Sequence, residues 1–148
     1  MTDFYKVLNT NLSCYHGGKG SWTVGERRSA KGQLVPCKNG IHIVTLMQLP
    51  RWLGPAIHPV GEASAECIEQ EDKSVVRWAV LGPALGTWNL RTQLLFAADC
   101  AEHVLVAERK QGREPAEVSF AAVEVARQFA NALASQAELD AAYTAAAA

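Results

Sequence analysis

The sequence has no excess of charge of either sign, since 14 Lys and Arg residues stand against 15 Asp and Glu residues. General affinity for nucleic acid depends on surplus cations that face phosphates, so the net charge of −1 argues against it. No apolar run approaches the roughly 20 residues of a bilayer-spanning helix. The first residues also lack the charged start and apolar stretch of a secretory signal. These absences predict a cytoplasmic protein that does not contact membranes.

Signatures of nucleotide and zinc binding are missing as well. The glycine-rich segment 16–21 does not have the spacing GxxxxGK[ST], and the GxGxxG fingerprint is absent. No CxxC occurs, and the four cysteines are far apart, which favours reduced thiols over a disulfide framework. The sequence therefore favours neither a cofactor nor a bound metal.

The composition is that of a folded chain: 49% of the residues are apolar, and a length of 148 residues suits one domain. Apolar runs bounded by glycine, proline or polar turns predict strands over residues 4–8, 41–44 and 74–81. In the last of these, Val76, Trp78 and Val80 would share one face. Weaker patterns suggest strands at 21–24, 33–35 and 60–68, and Asn39-Gly40 predicts a tight turn.

The character of the sequence changes after residue 86. Thr87 is placed to cap a helix, Gly112 to end it and Pro115 to begin a second one. Apolar residues recur at three- and four-residue intervals in both segments. The sequence predicts an α+β fold, a mostly antiparallel sheet of short strands followed by two C-terminal amphipathic helices. One domain would cover 1–133, strand-rich over 1–81 and helical over 87–133, with an alanine-rich tail at 134–148.

Two stretches resemble known families. The motifs Cys14-Tyr15-His16-Gly17-Gly18 and Pro36-Cys37-Lys38-Asn39-Gly40-Ile41-His42, with Trp22 and Trp52-Leu53, resemble an uncharacterised domain of bacterial and phage proteins over residues 4–81. Residues 88–133, with Asp99-Cys100-Ala101-Glu102-His103, resemble helices of putative bacterial immunity proteins. The resemblance implies a phage or bacterial setting and assigns no catalytic residue.

Cysteine and histidine recur close together along the chain. Two such pairs meeting in space would supply four zinc ligands, and the less favoured metal set is Cys37, His42, Cys100 and His103. Buried thiols and hydrogen-bonded core histidines are the favoured interpretation. A nucleophilic thiol would best be Cys14, with His16 as its base and the glycine loop beside it.

A second alternative is an ADP-ribosyltransferase-like enzyme that consumes NAD. Glu69-Gln70-Glu71 is similar to the Glu-x-Glu turn of such enzymes, which implies that Glu71 would stabilise the oxocarbenium ion, with His42 or His16 in the pocket. The chain departs from that family because it lacks a Ser-Thr-Ser strand and an arginine on the opening strand.

The leading hypothesis is a non-enzymatic protein that binds and modulates a partner protein. Its predicted surface covers residues 16–31, faces something acidic, and includes an exposed Trp22. The binding residues predicted there are His16, Lys19, Trp22, Arg27, Arg28 and Lys31. A structural component of a virion is the third hypothesis.

Overall fold

Seven short strands form one sheet in the first part of the chain, and three helices follow, in a computed structural model that describes residues 3–147. The strands are β1 (Phe4–Leu8), β2 (Arg27–Ser29), β3 (Ile41–Thr45), β4 (Ala56–Ala63), β5 (Cys67–Glu69), β6 (Ser74–Val76) and β7 (Trp78–Leu81). Their order is β2-β7-β4-β1-β3-β6-β5, and neighbouring strands pair antiparallel. The predicted α+β class is confirmed.

The chain divides into two compact units, and the boundary falls between Gly86 and Thr87. We call them the strand-rich unit and the helical unit. The division falls where the sequence predicts the change from strands to helices. The prediction of a single domain over 1–133 stays a prediction.

The sheet of the strand-rich unit curls back on itself. Only Arg77 separates β6 from β7 in the sequence, yet three other strands lie between them in the sheet order. Arg77 also ties the junction together, because its guanidinium donates to the carbonyl of Ala30 at 3.3 Å and pairs with Glu66 at 2.5 Å. The curled sheet encloses the main core, whose buried members are Leu8, Trp22, Ile41, Ile43, Val76, Ala79 and Leu81.

Three strand predictions were wrong in detail. Segments 21–24 and 33–35 contribute only isolated bridges, and the strand in this region is the polar β2. The predicted strand 74–81 breaks at Arg77, so Ala79 and Leu81 are buried while Trp78 and Val80 stay partly exposed. The Asn39-Gly40 turn lies slightly earlier, because Val35 and Asn39 pair around residues 36–38.

Thr45 and Gln48 have the sequence spacing that predicts a capping box, and this box forms at the end of β3. The Gln48 amide donates to the Thr45 hydroxyl at 3.3 Å, and the Thr45 amide donates to the Gln48 side chain at 3.0 Å. A 3-10 turn, Leu49–Arg51, follows directly and contains Pro50. This local structure leads the chain into Trp52, a residue of the site described below.

The helices are α1 (Leu90–Lys110), α2 (Glu117–Ala130) and α3 (Gln136–Ala147). Asn89, not Thr87, caps α1, because its side chain accepts from the Thr92 amide at 3.1 Å. The sequence predicted two helices and a tail, whereas the tail contains α3. None of the helices within residues 3–147 has the length and apolar character to cross a bilayer.

Leu139 anchors α3, because it is 5% exposed and packs with Ala98, Val123 and Ala126. We expect Leu139→Ala to destabilise α3 by about 2–4 kcal/mol through the lost contacts and the cavity left behind. Hydrogen exchange of the α3 amides measures this loss. Leu133→Ala is the matched control, since Leu133 is 77% exposed, and equal acceleration in both variants would show that Leu139 is no anchor.

Candidate functional site

A cavity of about 540 Å³ opens in the strand-rich unit. Its wall comes from β1, from β3, from the loop around residues 14–19, from residues 28–31 and from the turn at 37–40. This volume lies within the roughly 300–1,000 Å³ that is usual for ligand sites. The cavity is therefore large enough to be a ligand site.

The charge of the cavity wall is of one sign. Five cationic side chains line it, and no Asp or Glu does so within residues 3–147. The five are Lys6, Lys19, Arg28, Lys31 and Lys38. A concave wall of this kind concentrates positive potential and attracts anions.

Most cations outside the cavity are compensated, although Arg27, Arg91 and Lys110, like the five on the wall, have no carboxylate partner among residues 3–147. Of the 14 Lys and Arg residues, six pair with a carboxylate of the described chain, and none of these six lines the cavity. The six are Arg51, Lys73, Arg77, Arg109, Arg113 and Arg127. None of the five cavity cations has a carboxylate partner among residues 3–147. Their charge is therefore left to be balanced by solvent ions or by a ligand.

Lys6 projects from β1, the central strand of the sheet. Its ammonium donates to the carbonyl oxygen of His42 at 2.8 Å and lies 5.9 Å from the ring centroid of Trp22. The pKa of Lys6 is lowered to about 8, mainly by burial; Cys14 opposes this change and the neighbouring Arg28 adds to it. Lys6 is thus a cation held where its charge costs stability.

Arg28 is fixed by the glycine-rich loop. Its guanidinium donates to the carbonyls of Lys19 at 2.6 Å and Ser21 at 2.9 Å, and lies 5.0 Å from the Trp22 centroid. The loop can close this tightly because Gly20 has a φ of 87° and a Cβ there would meet Arg28 Nη2 at 3.1 Å. Arg28 follows the loop in the sequence, and its hydrogen bonds to the loop carbonyls set the direction of its side chain.

Asn39 joins the two chain segments that carry Lys31 and Lys38. Its side-chain nitrogen donates to the carbonyls of Lys31 at 2.6 Å and Gln33 at 2.7 Å. The segment that carries Lys31 is therefore held against the turn that carries Lys38. Gly40 lets this turn approach β6, since a Cβ at Gly40 would lie 2.3 Å from a methyl carbon of Val75.

Two histidines line the cavity in different roles. His42 Nε2 accepts from the Cys37 amide at 3.2 Å, which requires an unprotonated nitrogen. Burial lowers the pKa of His42, and Lys6 and Lys73 act in the same direction, so this ring is neutral at pH 7. His16 Nε2 lies 2.6 Å from the Trp52 carbonyl and must donate to it.

The structure divides the predicted binding surface 16–31. His16, Lys19, Trp22, Arg28 and Lys31 all line the cavity. Arg27 does not, because neighbouring residues of β2 point to opposite faces, and its guanidinium lies 3.8 Å from the Trp78 ring centroid.

The prediction of an exposed Trp22 was wrong. Trp22 is 5% exposed and belongs to the core under the sheet, and its indole N–H has no hydrogen-bond partner among the described residues. A tryptophan between flexible loops gave the impression of an interface anchor, whereas the loops fold over it.

Sequence reasoning missed Lys6, Lys38, Asn39 and Trp52 as site residues. Lys6 did carry a signal, since in a strand over residues 4–8 it shares one face with Phe4 and Leu8, which pack in the core. The other three are brought to the cavity only by the tertiary fold, and nothing in their local sequence distinguishes them.

The residues of the transferase alternative are not brought together. His16 and His42 line the cavity, but Glu71 does not. The Glu71 side chain is 84% exposed and forms an ion pair with Arg51 at 3.0 Å. Without a carboxylate on the wall, the cavity has no group of the described chain to stabilise an oxocarbenium ion.

The cysteines give no metal centre or assembled nucleophile. All four are free thiols, and within residues 3–147 no three His, Cys, Asp or Glu side chains are placed to hold a metal ion. The alternative set Cys37, His42, Cys100 and His103 therefore has no support. Cys14 lines the cavity, but His16 directs Nε2–H to the Trp52 carbonyl and no hydrogen bond of the described chain joins it to Cys14.

Comparisons with models of protein families, with curated proteins and with solved structures found no match to this chain. The cavity itself is therefore the main indication of function in this chain.

Proposed function

We propose that the protein is a binding protein whose strand-rich unit holds an anionic ligand in the basic cavity. The observation that carries this proposal is the distribution of the cations. Five cations without a carboxylate partner among residues 3–147 converge on one concave wall, while the paired cations lie elsewhere. Repulsion among these uncompensated charges costs stability, and a bound anion would relieve it.

The proposed ligand is acidic, as the sequence predicts for the partner, but it would bind in a recess instead of on an open surface. A contact across an open surface of residues 16–31 would need both Arg27 and Trp22 to be available to the partner. Arg27 instead lies against the Trp78 ring, and Trp22 is buried. A recessed wall instead receives a ligand, or one projecting anionic group of a partner. An immunity-type action, a phage setting and a virion role stay predictions from the sequence.

Binding without chemistry is supported by the residues that are present. General acid and base catalysis needs a positioned proton donor or acceptor. The Nε2 atoms of His16 and His42 both bond to main-chain groups, and the Lys6 ammonium bonds to a main-chain carbonyl. These groups have structural partners already, and they position the wall.

The test compares two double variants with the same change in net charge. Lys31→Gln/Lys38→Gln removes two cavity cations, whereas Arg27→Gln/Lys110→Gln removes two cations that do not line the cavity. We expect inorganic phosphate and sulfate to raise the melting temperature of the unchanged protein above that in chloride of equal ionic strength, since a ligand of the native state stabilises it. The cavity variant should lose this increase and the control variant should keep it.

Two results would contradict the proposal: no increase with either anion, or the same loss in both double variants. Glu71→Gln serves as a third arm, with NAD as the probe. Binding that is unchanged in Glu71→Gln, with NAD recovered intact by mass spectrometry, agrees with a binding protein. NAD cleavage that disappears in Glu71→Gln would establish the transferase instead.

A further inference from the structure

We infer that the ligand is an oligophosphate, a run of two or three phosphate groups that is either free or carried by a nucleotide. This inference rests on the proposed anion binding and narrows it from any anion to one chemical class. Four features of the wall support it: its charge, the hydrogen-bond donors that remain on its fixed cations, the number of chain segments from which the cations come, and the backbone amides of the glycine-rich loop.

The charge of the wall requires more than one anionic group. Five cations line the cavity and no carboxylate of the described chain offsets them. A terminal phosphate group carries about −1.5 to −2 at neutral pH and a linking phosphate about −1, so two or three linked phosphates offset more than half of the charge of five cations, whereas one phosphate or one carboxylate does not. A ligand with a single charge would leave most of the repulsion among the cations in place.

The two fixed cations retain donors. Lys6 has three N–H donors, and one is used on the His42 carbonyl. Arg28 has five, and the two contacts with the loop carbonyls leave the others for a ligand. Phosphate oxygens suit them, because guanidinium groups bind phosphate through paired N–H donors.

The cations of the wall come from five different segments of the chain. Lys6 comes from β1, Lys19 from the glycine-rich loop, Arg28 from β2, Lys31 from the segment after β2, and Lys38 from the turn before β3. Lys19, Lys31 and Lys38 are exposed side chains with flexible stems. An extended polyanion can contact the fixed and the flexible cations at once, whereas a compact monoanion reaches only part of them.

The glycine-rich loop adds neutral donors to the wall. Gly17 and Gly18 line the cavity, and no backbone acceptor within residues 3–147 bonds to their amides. Backbone N–H groups in loops of this kind bind phosphate oxygens when they face them. Side chains at these two positions would narrow the approach of a ligand to the main chain.

The experiment is isothermal titration calorimetry of the full chain with five probes at constant ionic strength and without divalent cations. The probes are inorganic phosphate, pyrophosphate, tripolyphosphate, ATP and a hexaglutamate peptide. We expect tripolyphosphate to bind at least about tenfold more tightly than phosphate and more tightly than hexaglutamate, since each added charge pair contributes up to about 1 kcal/mol. Lys31→Gln/Lys38→Gln should weaken tripolyphosphate by about tenfold or more, and Arg27→Gln/Lys110→Gln by less than about twofold.

The probes distinguish a nucleotide from a free phosphate chain, and they distinguish failure of the oligophosphate inference from failure of the proposed anion binding. ATP binding more tightly than tripolyphosphate would identify a nucleotide, and equal affinity would identify the phosphate chain alone; both outcomes support the inference. Hexaglutamate binding as tightly as tripolyphosphate, or phosphate binding equally well, would overturn the oligophosphate and leave anion binding intact. If no probe binds, or if the two double variants lose affinity equally, both proposals fall.

Discussion

Replacing Lys6 with methionine should stabilise the free protein at pH 7 and remove most of its affinity for anions. Burial lowers the pKa of Lys6 from 10.5 to about 8. That difference corresponds to about 3 kcal/mol of unfavourable free energy for keeping the ammonium charged in the fold at neutral pH. Methionine keeps the apolar stem and removes the charge, and the lost hydrogen bond to the His42 carbonyl offsets about 1 kcal/mol of the gain. A net gain of about 1–3 kcal/mol is expected.

The pH dependence of this gain checks its cause. Below pH 8 both the folded and the unfolded chain carry the proton on Lys6, so the full penalty is present. Between about 8 and 10.5 only the unfolded chain retains it, and the stability of the unchanged protein rises with pH. The advantage of Lys6→Met should therefore be largest at pH 7 and nearly gone at pH 10.5. Urea unfolding at several pH values measures it, with Lys110→Met, an exposed helix lysine, as the control.

A variant that is less stable than the unchanged protein at pH 7, or whose stability is altered equally at every pH, would show that the charge of Lys6 does not destabilise the fold.

The titration of Lys6 should also affect anion binding. Only the protonated Lys6 attracts an anion, and the groups around it are Arg28, Cys14 and His42. Anion affinity should thus fall as the pH rises through 8, and binding should be accompanied by proton uptake near that pH.

The second large effect is expected for Gly40→Ala, which should unfold or severely destabilise the strand-rich unit. The Cβ of an alanine at this position would lie 2.3 Å from Val75 Cγ1 and 3.2 Å from a methyl carbon of Leu34. Val75 is fully buried and cannot move aside freely. The φ of Gly40 is 138°, a conformation that alanine adopts only under strain. Together these terms should cost more than about 3 kcal/mol.

Gly17→Ala is the matched control for this substitution. Gly17 also has a positive φ, 77°, but nothing lies within 4 Å of a Cβ there. Its cost should be limited to the backbone term of about 1 kcal/mol. Denaturant midpoints of the two variants measure the difference. Similar losses in both would mean that the contact with Val75 relaxes at little cost and that backbone strain accounts for the effect.

The sequence predicted those elements whose signal is local. β1 and β3 are apolar runs between turn residues, and the Thr45–Gln48 capping box is a four-residue pattern. β2 could not be predicted in the same way, because Arg27-Arg28-Ser29 has no apolar alternation. It is a strand only because its backbone pairs with β7.

The third helix shows a local signal that was present and overlooked. Ser135 and Glu138 form a capping box, since the Ser135 amide donates to the Glu138 carboxylate at 2.7 Å and the Glu138 amide donates to the Ser135 hydroxyl at 3.3 Å. The alanine-rich composition that follows suggested a tail with little to bury. One buried leucine is enough to hold it against the other helices.

The site was predicted in part. The cations near the glycine-rich loop are adjacent in the sequence and were expected to act together. Their convergence with Lys6 and Lys38 depends on β1 and β3 being neighbours in the sheet, which one sequence does not reveal. The sequence therefore indicated a basic segment but not the concave wall to which that segment contributes.

The separation of paired and unpaired cations has a kinetic consequence. If the net charge of −1 were spread evenly over the surface, the chain would weakly repel polyanions and bind them slowly. Its potential is not uniform, however, because one mouth carries positive charge that no carboxylate of the described residues cancels. Anions that diffuse past should be steered toward that mouth, so that association is fast in dilute buffer and slows steeply as salt is added, well beyond what the overall charge implies.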